Sequence, residues 1–281
     1  GKLCLKYVET TDYNSEEDNI SKTCLTLIDS MSRCCNYEFI KLMIEYIGNN
    51  IKENDSKKYA ALSVFNAIIG TKNKEQFFPI VKDSLSVVTN ILFEQNSPDY
   101  FKLLCARILL NITNEYGTAL THDVEMFDKF IDLFLNLIKI STKAITNLIL
   151  LSLHSLCKMV TWFEDIETNI LSKHMQKLYE PILQLCSNVN LFDKDNNLIL
   201  SGFFVLAILG ERTAKDAKIQ MTYVFHSLTE MFNKTITQKN SFQSIDIVNS
   251  YQEYLSSCLT GFLLTKFGES NDCGNLLQYI L

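Results

Sequence analysis

The chain has 281 residues and a formal net charge of −6, with 47% hydrophobic and 21% charged residues. That balance fits a folded chain with a sizeable core and argues against a broad nucleic-acid surface, which demands excess Lys and Arg. Three prolines and nine glycines are too few to punctuate an all-β fold, so helices are expected.

Residues 1–8 read as the end of a helix. The stretch after them is acidic: Glu9, Asp12, Glu16, Glu17 and Asp18 occur with no Lys or Arg between Lys6 and Lys22. As a solvated loop it would cap the next helix with Asp18 or Asn19. As a contact it would steer a basic partner, acting mainly on encounter rate and orientation. A helix carrying Cys24, Leu25, Leu27, Ile28 and Met31 then runs to Cys35.

Residues 37–70 set the pattern that the rest repeats. Phe39, Ile40, Met43, Ile44, Ile47 and Ile51 share one helical face. Glu53-Asn54-Asp55-Ser56 breaks the periodicity with turn and N-cap residue types. A second helix follows that is apolar on most sides, from Ala60 to Ile69, and Gly70 is expected to stop it. One amphipathic outer helix and one buried inner helix cannot cover each other's apolar surface. Neighbouring hairpins must supply the cover, which is the physics of a helical solenoid.

The next hairpin spans 74–117, with Pro79 early in its outer helix, Asn96-Ser97-Pro98-Asp99 as its turn and Gly117 as its expected stop. In the hairpin over 122–160, Met126, Phe127, Phe130, Ile131, Phe134, Leu137 and Ile138 form the outer stripe. Ile145, Leu148, Ile149, Leu153 and Leu156 line its inner helix. A loop around Trp162 is a candidate partner anchor or a plug between helices. The hairpin over 171–211 has an outer helix from Leu171 to Val189 with Pro181 inside, then an inner helix expected to stop at Gly210. A last full hairpin covers 215–268, and 1–36 and 271–281 read as partial repeats. Inner-helix centres recur about every 43 to 55 residues, at or above the roughly 40–47 of HEAT and armadillo arrays. Leu276, Leu277, Tyr279, Ile280 and Leu281 leave an apolar face showing at the end. From this a fragment of a longer protein is expected.

The fold expected is therefore an all-α HEAT-repeat superhelical solenoid, one array over 1–281. No catalytic constellation is legible: there is no phosphate-binding glycine loop and no G-x-S-x-G. His122, His154, His174 and His226 are too scattered for a helix-borne zinc pair. His154 lies one turn before Cys157, where a satisfied core histidine outweighs a Cys–His dyad. No enzyme activity, metal or cofactor is expected. Nine cysteines without a Cys-x-x-Cys read as reduced core residues. No run of about 18 apolar residues supports a membrane span.

The order of several weak motifs resembles the importin-beta (karyopherin-beta) family of nuclear transport receptors. An acidic loop, Glu16-Glu17-Asp18-Asn19, leads into a helix with Lys22 near its start and Cys34-Cys35 at its end. Lys58-Tyr59-Ala60-Ala61-Leu62, Phe78-Pro79-Ile80-Val81, and Tyr254-Leu255 followed by Cys258-Leu259 and Gly261 continue the match. The family's Trp-Asn-Pro after the acidic loop is replaced here by Asp18-Asn19-Ile20. The resemblance places the chain in the central to C-terminal part of such a receptor, working between cytoplasm and nucleus and at the nuclear pore. It implies that Glu9, Asp12, Glu16, Glu17 and Asp18 touch the small GTPase Ran or the basic segment of an importin-alpha-type adaptor or cargo. It implies a concave cargo face with acids at inner-helix starts, for which Asp55, Asp99, Asp193, Asp195, Asp246 and Glu253 are the candidates. It also implies grooves between outer helices for phenylalanine-glycine nucleoporins. A HEAT scaffold of another assembly, such as a phosphatase scaffold, shares the periodicity.

Overall fold

The computed structural model describes residues 19–161, 167–188, 198–237 and 245–264. Every regular element among them is helical. They divide into two compact units, meeting in sequence at Tyr116 and Gly117.

The first unit holds α1 (Asn19–Cys34), α2 (Tyr37–Asn50), α3 (Asp55–Ile68), α4 (Lys74–Phe93) and most of α5 (Asp99–His122). Helix α3 begins where Asn54, its N-cap, accepts a hydrogen bond from the Lys57 amide at 3.1 Å. It is buried on nearly every side, through Ala60, Ala61, Leu62, Val64, Phe65 and Ile68. Its hairpin partner α2 buries only Ile40 and Met43 fully. α3 also packs on α1, where Cys24 meets Ala60. α1 and α3 therefore form an inner row, and α2 covers it from outside.

The ends of these inner helices are tied by polar bonds that no apolar pattern reports. The Thr71 hydroxyl donates to the Ser32 carbonyl at 3.1 Å, and Lys72 Nζ to the Cys34 carbonyl at 2.6 Å. Arg33 reaches Asp29 at 3.0 Å and Glu115 at 3.6 Å, and Lys74 reaches Glu115 at 2.7 Å. The guanidinium of Arg33 covers Gly70 so closely that a Cβ at Gly70 would lie 2.6 Å from Cζ. No glycine among the described residues has a positive φ. Gly70 thus follows α3 without serving as a left-handed cap, and a Cβ there would have to displace only the half-exposed end of Arg33.

The second unit continues with α6 (Val124–Ile140), α7 (Lys143–Lys158), a 3₁₀ turn (Ser172–His174), α8 (Met175–Ser187), α9 (Leu198–Arg212), a second 3₁₀ turn (Lys215–Ala217), α10 (Lys218–Thr237) and α11 (Ile245–Leu264). α6 with α7, α8 with α9 and α10 with α11 form hairpins. α7, α9 and α11 make an inner row, and α6, α8 and α10 an outer one. α6 is capped by Asp123, which accepts from the Met126 amide at 3.2 Å, and buries Phe127, Phe130, Ile131, Phe134 and Leu137. α9 buries both faces, including Ser201, Gly202, Phe203 and Gly210.

Three helix ends differ from the sequence expectation. α5 runs through Gly117 to His122, and α9 through Gly210 to Arg212. A glycine inside a helix costs about 1 kcal/mol relative to alanine, which packing readily overrides. At Gly117 the reason is steric: a Cβ would lie 2.7 Å from Met159 Cγ. The outer helix expected from Leu171 starts instead with the 3₁₀ turn, because the Asn169 side chain accepts from the amides of Leu171 and Ser172, both at 3.1 Å. Its own amide then donates to the Arg212 carbonyl at 2.7 Å, tying the start of one hairpin's outer helix to the end of its inner helix.

Candidate partner-binding surfaces

Of the residues expected to bind partners, Glu9, Asp12, Glu16, Glu17, Asp18, Asp193 and Asp195 lie outside the described residues, as does Trp162. Asp55 and Asp99 occupy the first turns of α3 and α5, and both are exposed. Carboxylates there face the positive ends of the two helices. The structure brings them to one aromatic cluster. Tyr59 lies 5.4 Å from Tyr100 and 5.5 Å from Phe101, and desolvation, then the charge of Asp55, raises the Tyr100 pKa. Asp246 sits in the first turn of α11. Glu253 is exposed but lies two turns into α11, not at its start.

The same cluster holds cations that the sequence reading did not assign to a site. Lys58 Nζ stands 5.5 Å over the Phe101 ring, and its field reaches Cys105. Arg107, exposed on α5, acts on Tyr59 across the helix pair. An isolated charge in the apolar run from Leu104 to Ile112 was the available signal for Arg107.

In the second unit, a groove of about 540 Å³ opens between the outer helices α6 and α8. Its lining is mostly polar: Asp132, Asn136, Lys177 and Glu180, with Leu135 and Pro181 as apolar members. Lys177 and Asp132 approach within 3.7 Å. Just N-terminal to it, Asp128 accepts from Lys173 at 2.7 Å and lies 2.8 Å from Nε2 of the buried His174. Desolvation pushes the Asp128 pKa up, but the bonds from Lys173 and His174 outweigh it and the net shift is downward.

His154 is half-buried, with its ring 6.0 Å from that of Phe204. Burial, then Lys158, lowers its pKa. Cys157 is fully buried and pushed up to about 12 by desolvation, so it stays a neutral thiol. Cys105 is likewise pushed up to about 12, and burial raises Cys186 and Cys258. Among the described residues no group of His, Cys, Asp and Glu is arranged to hold a metal ion. No described helix is long and apolar enough to cross a membrane.

No family model and no curated protein matches the chain. Solved structures do. Importin beta aligns over 93% of this chain with a TM-score of 0.81 and 16% identity. Yeast Kap95p, in a study of how its binding switches the loops of RanGDP, aligns over 98% with a TM-score of 0.79 and 13% identity. Kap95 in complex with Nup1 aligns over 92% with a TM-score of 0.75 and 13% identity. The chain spans about a third of the length of these structures, 31%, 32% and 30% respectively. At such identities the likeness is one of fold, and the chain has the all-α HEAT-repeat fold of the importin-beta-like karyopherins.

Proposed function

We propose that the chain is a segment of a nuclear import receptor, which binds cargo or an adaptor and is regulated by Ran-GTP. The observation that carries this reading is the alignment of 93% of the chain with importin beta at a TM-score of 0.81. The likeness to Kap95p, solved in work on RanGDP and in complex with Nup1, supports Ran and nucleoporins as partners. In this reading the protein works in cytoplasm and nucleus and at the pore.

The acidic segment with Glu9, Asp12, Glu16, Glu17 and Asp18 contacts Ran or a basic adaptor. Asp55, Asp99, Asp193, Asp195, Asp246 and Glu253 contribute to the cargo face, and the α6–α8 groove is a candidate for nucleoporin repeats. Ran in its GTP state favours a repeat-to-repeat geometry that disfavours cargo, a coupling of two sites without a reaction.

The test is a titration of the intact receptor with Ran-GTP and with a basic importin-alpha-type adaptor peptide, with and without charge reversal at Glu16, Glu17 and Asp18. The reading expects both partners to bind and the reversal to weaken them. Absence of Ran-GTP binding in the unaltered receptor would favour a scaffold role instead.

A further inference from the structure

Beyond Asp55 and Asp99, the aromatic cluster of the first unit presents two cations. Lys58 and Arg107 flank Tyr59 and Phe101, and neither makes an ion pair among the described residues. Asp55 and Asp99 stand exposed at the N-terminal edge of this cluster, whereas three other carboxylates of the unit are paired with cations. Asp29 and Glu115 are held by Arg33 and Lys74, and Glu53 by Lys57 at 3.9 Å. Two turns along α3 from Tyr59, Asn66 uses its side-chain oxygen to accept from Asn111 at 2.9 Å. That leaves the Asn66 amide nitrogen as a further donor on the same row.

We propose that Lys58 and Arg107, walled by Tyr59 and Phe101, form a docking site for an acidic peptide segment of a partner protein. Charge complementarity selects the occupant. The free groups here are a primary ammonium, a guanidinium and an amide donor, and a guanidinium pairs with a carboxylate through two parallel hydrogen bonds. The half-buried ring of Tyr59 keeps water from one side of that pair and so strengthens it. Asp55 and Asp99, at the N-terminal edge of the cluster, repel an anion there. The acidic residue is therefore seated beyond them, toward Arg107 and Asn66. This inference stands on the first unit alone and does not require the receptor reading.

Fluorescence anisotropy on the 281-residue chain tests it. The probe is a short labelled Gly/Ser peptide with a central run of glutamates, beside versions with glutamine and with phosphoserine in their place. The glutamate peptide should bind, the glutamine peptide should not, and added NaCl should weaken binding. Lys58→Gln with Arg107→Gln should weaken it about tenfold. Lys57→Gln should not, and Asp55→Asn with Asp99→Asn should tighten it. Tighter binding of the phosphoserine version would identify phosphorylated side chains as the preferred source of the anion, and equal binding carboxylates. Glutamine binding as well as glutamate, or a double variant that binds like the parent with no response to salt, would overturn the proposal. So would binding that emerges only after Glu9, Asp12, Glu16, Glu17 and Asp18 are neutralised to amides. That result would make the chain's own acidic segment the occupant. A basic adaptor peptide run alongside keeps the receptor reading separate, since its failure to bind leaves this site untouched.

Discussion

The backbone of Gly202 lies against Cys186 so closely that a Cβ at Gly202 would come 2.6 Å from Sγ. This contact sets the approach of α9 to α8. The thiol is fully buried and lies 3.9 Å from the Ile199 carbonyl. Gly202→Ala should therefore destabilise the second unit by about 1–3 kcal/mol despite the gain in helix propensity. Urea unfolding followed by far-UV circular dichroism measures it. Adding Cys186→Ala should recover part of the loss, because the clashing atom is gone.

The hydroxyl of Tyr251 donates to the Cys186 carbonyl at 2.8 Å, in the last turn of α8, where carbonyls lack partners within their own helix. Tyr251→Phe keeps the ring and its edge contact with Phe203, at 5.5 Å between centroids, and removes only the donor. The expected cost is about 1–2 kcal/mol, the penalty of leaving one buried carbonyl unsatisfied. Hydrogen exchange should localise the loosening to α8 and α11.

Asp128 titrates below the ordinary carboxylate range in the folded chain. A depressed folded pKa contributes stability that is present above the unfolded value, near 3.9, and is lost as pH falls through the folded one. The parent should therefore exceed Asp128→Asn in stability at neutral pH, and the difference should shrink in acid, below about pH 4. Paired thermal melts across that range check the sign. A gap that widens in acid would contradict the ion-pair account of Lys173 and His174.

Asn169 closes the start of the 3₁₀ turn and donates to the Arg212 carbonyl. Asn169→Ala removes a cap and a tie between two helix ends together. A loss of about 1–3 kcal/mol is expected, above that of an ordinary capping substitution. Asn169→Asp should restore the capping acceptor but not the donor to Arg212. Comparing the two variants in the same urea titration separates the contributions.

Much of this architecture was legible in residue spacing. The α6 stripe of Phe127, Phe130, Ile131, Phe134 and Leu137 is buried as its periodicity requires, and α3 is buried on nearly every side. Periodicity reports burial, and burial dictates which hairpins must stack. Helix ends were less legible. Gly117 and Gly210 carry the residue type of a stop, yet the helices run on: a Cβ at Gly117 would meet Met159, and Gly210 is buried, so packing and not local propensity decides there. The cluster of Lys58, Tyr59 and Arg107 was not legible as a site. It depends on the register between α3 and α5, which brings residues of distant sequence together; the lone charge of Arg107 in an apolar run marks that residue but not its partners.

One side-chain hydrogen bond in each unit joins two helices between apolar neighbours: the Asn111 amide donates to Asn66 at 2.9 Å, and the Ser201 hydroxyl to Asn147 at 2.6 Å. Two greasy cylinders can glide past each other by a turn at little cost, whereas a polar rivet fits in one alignment only. Leucine at both members of either bond would then yield a sturdier but sloppier molecule, one whose cylinders rest at several offsets in place of one.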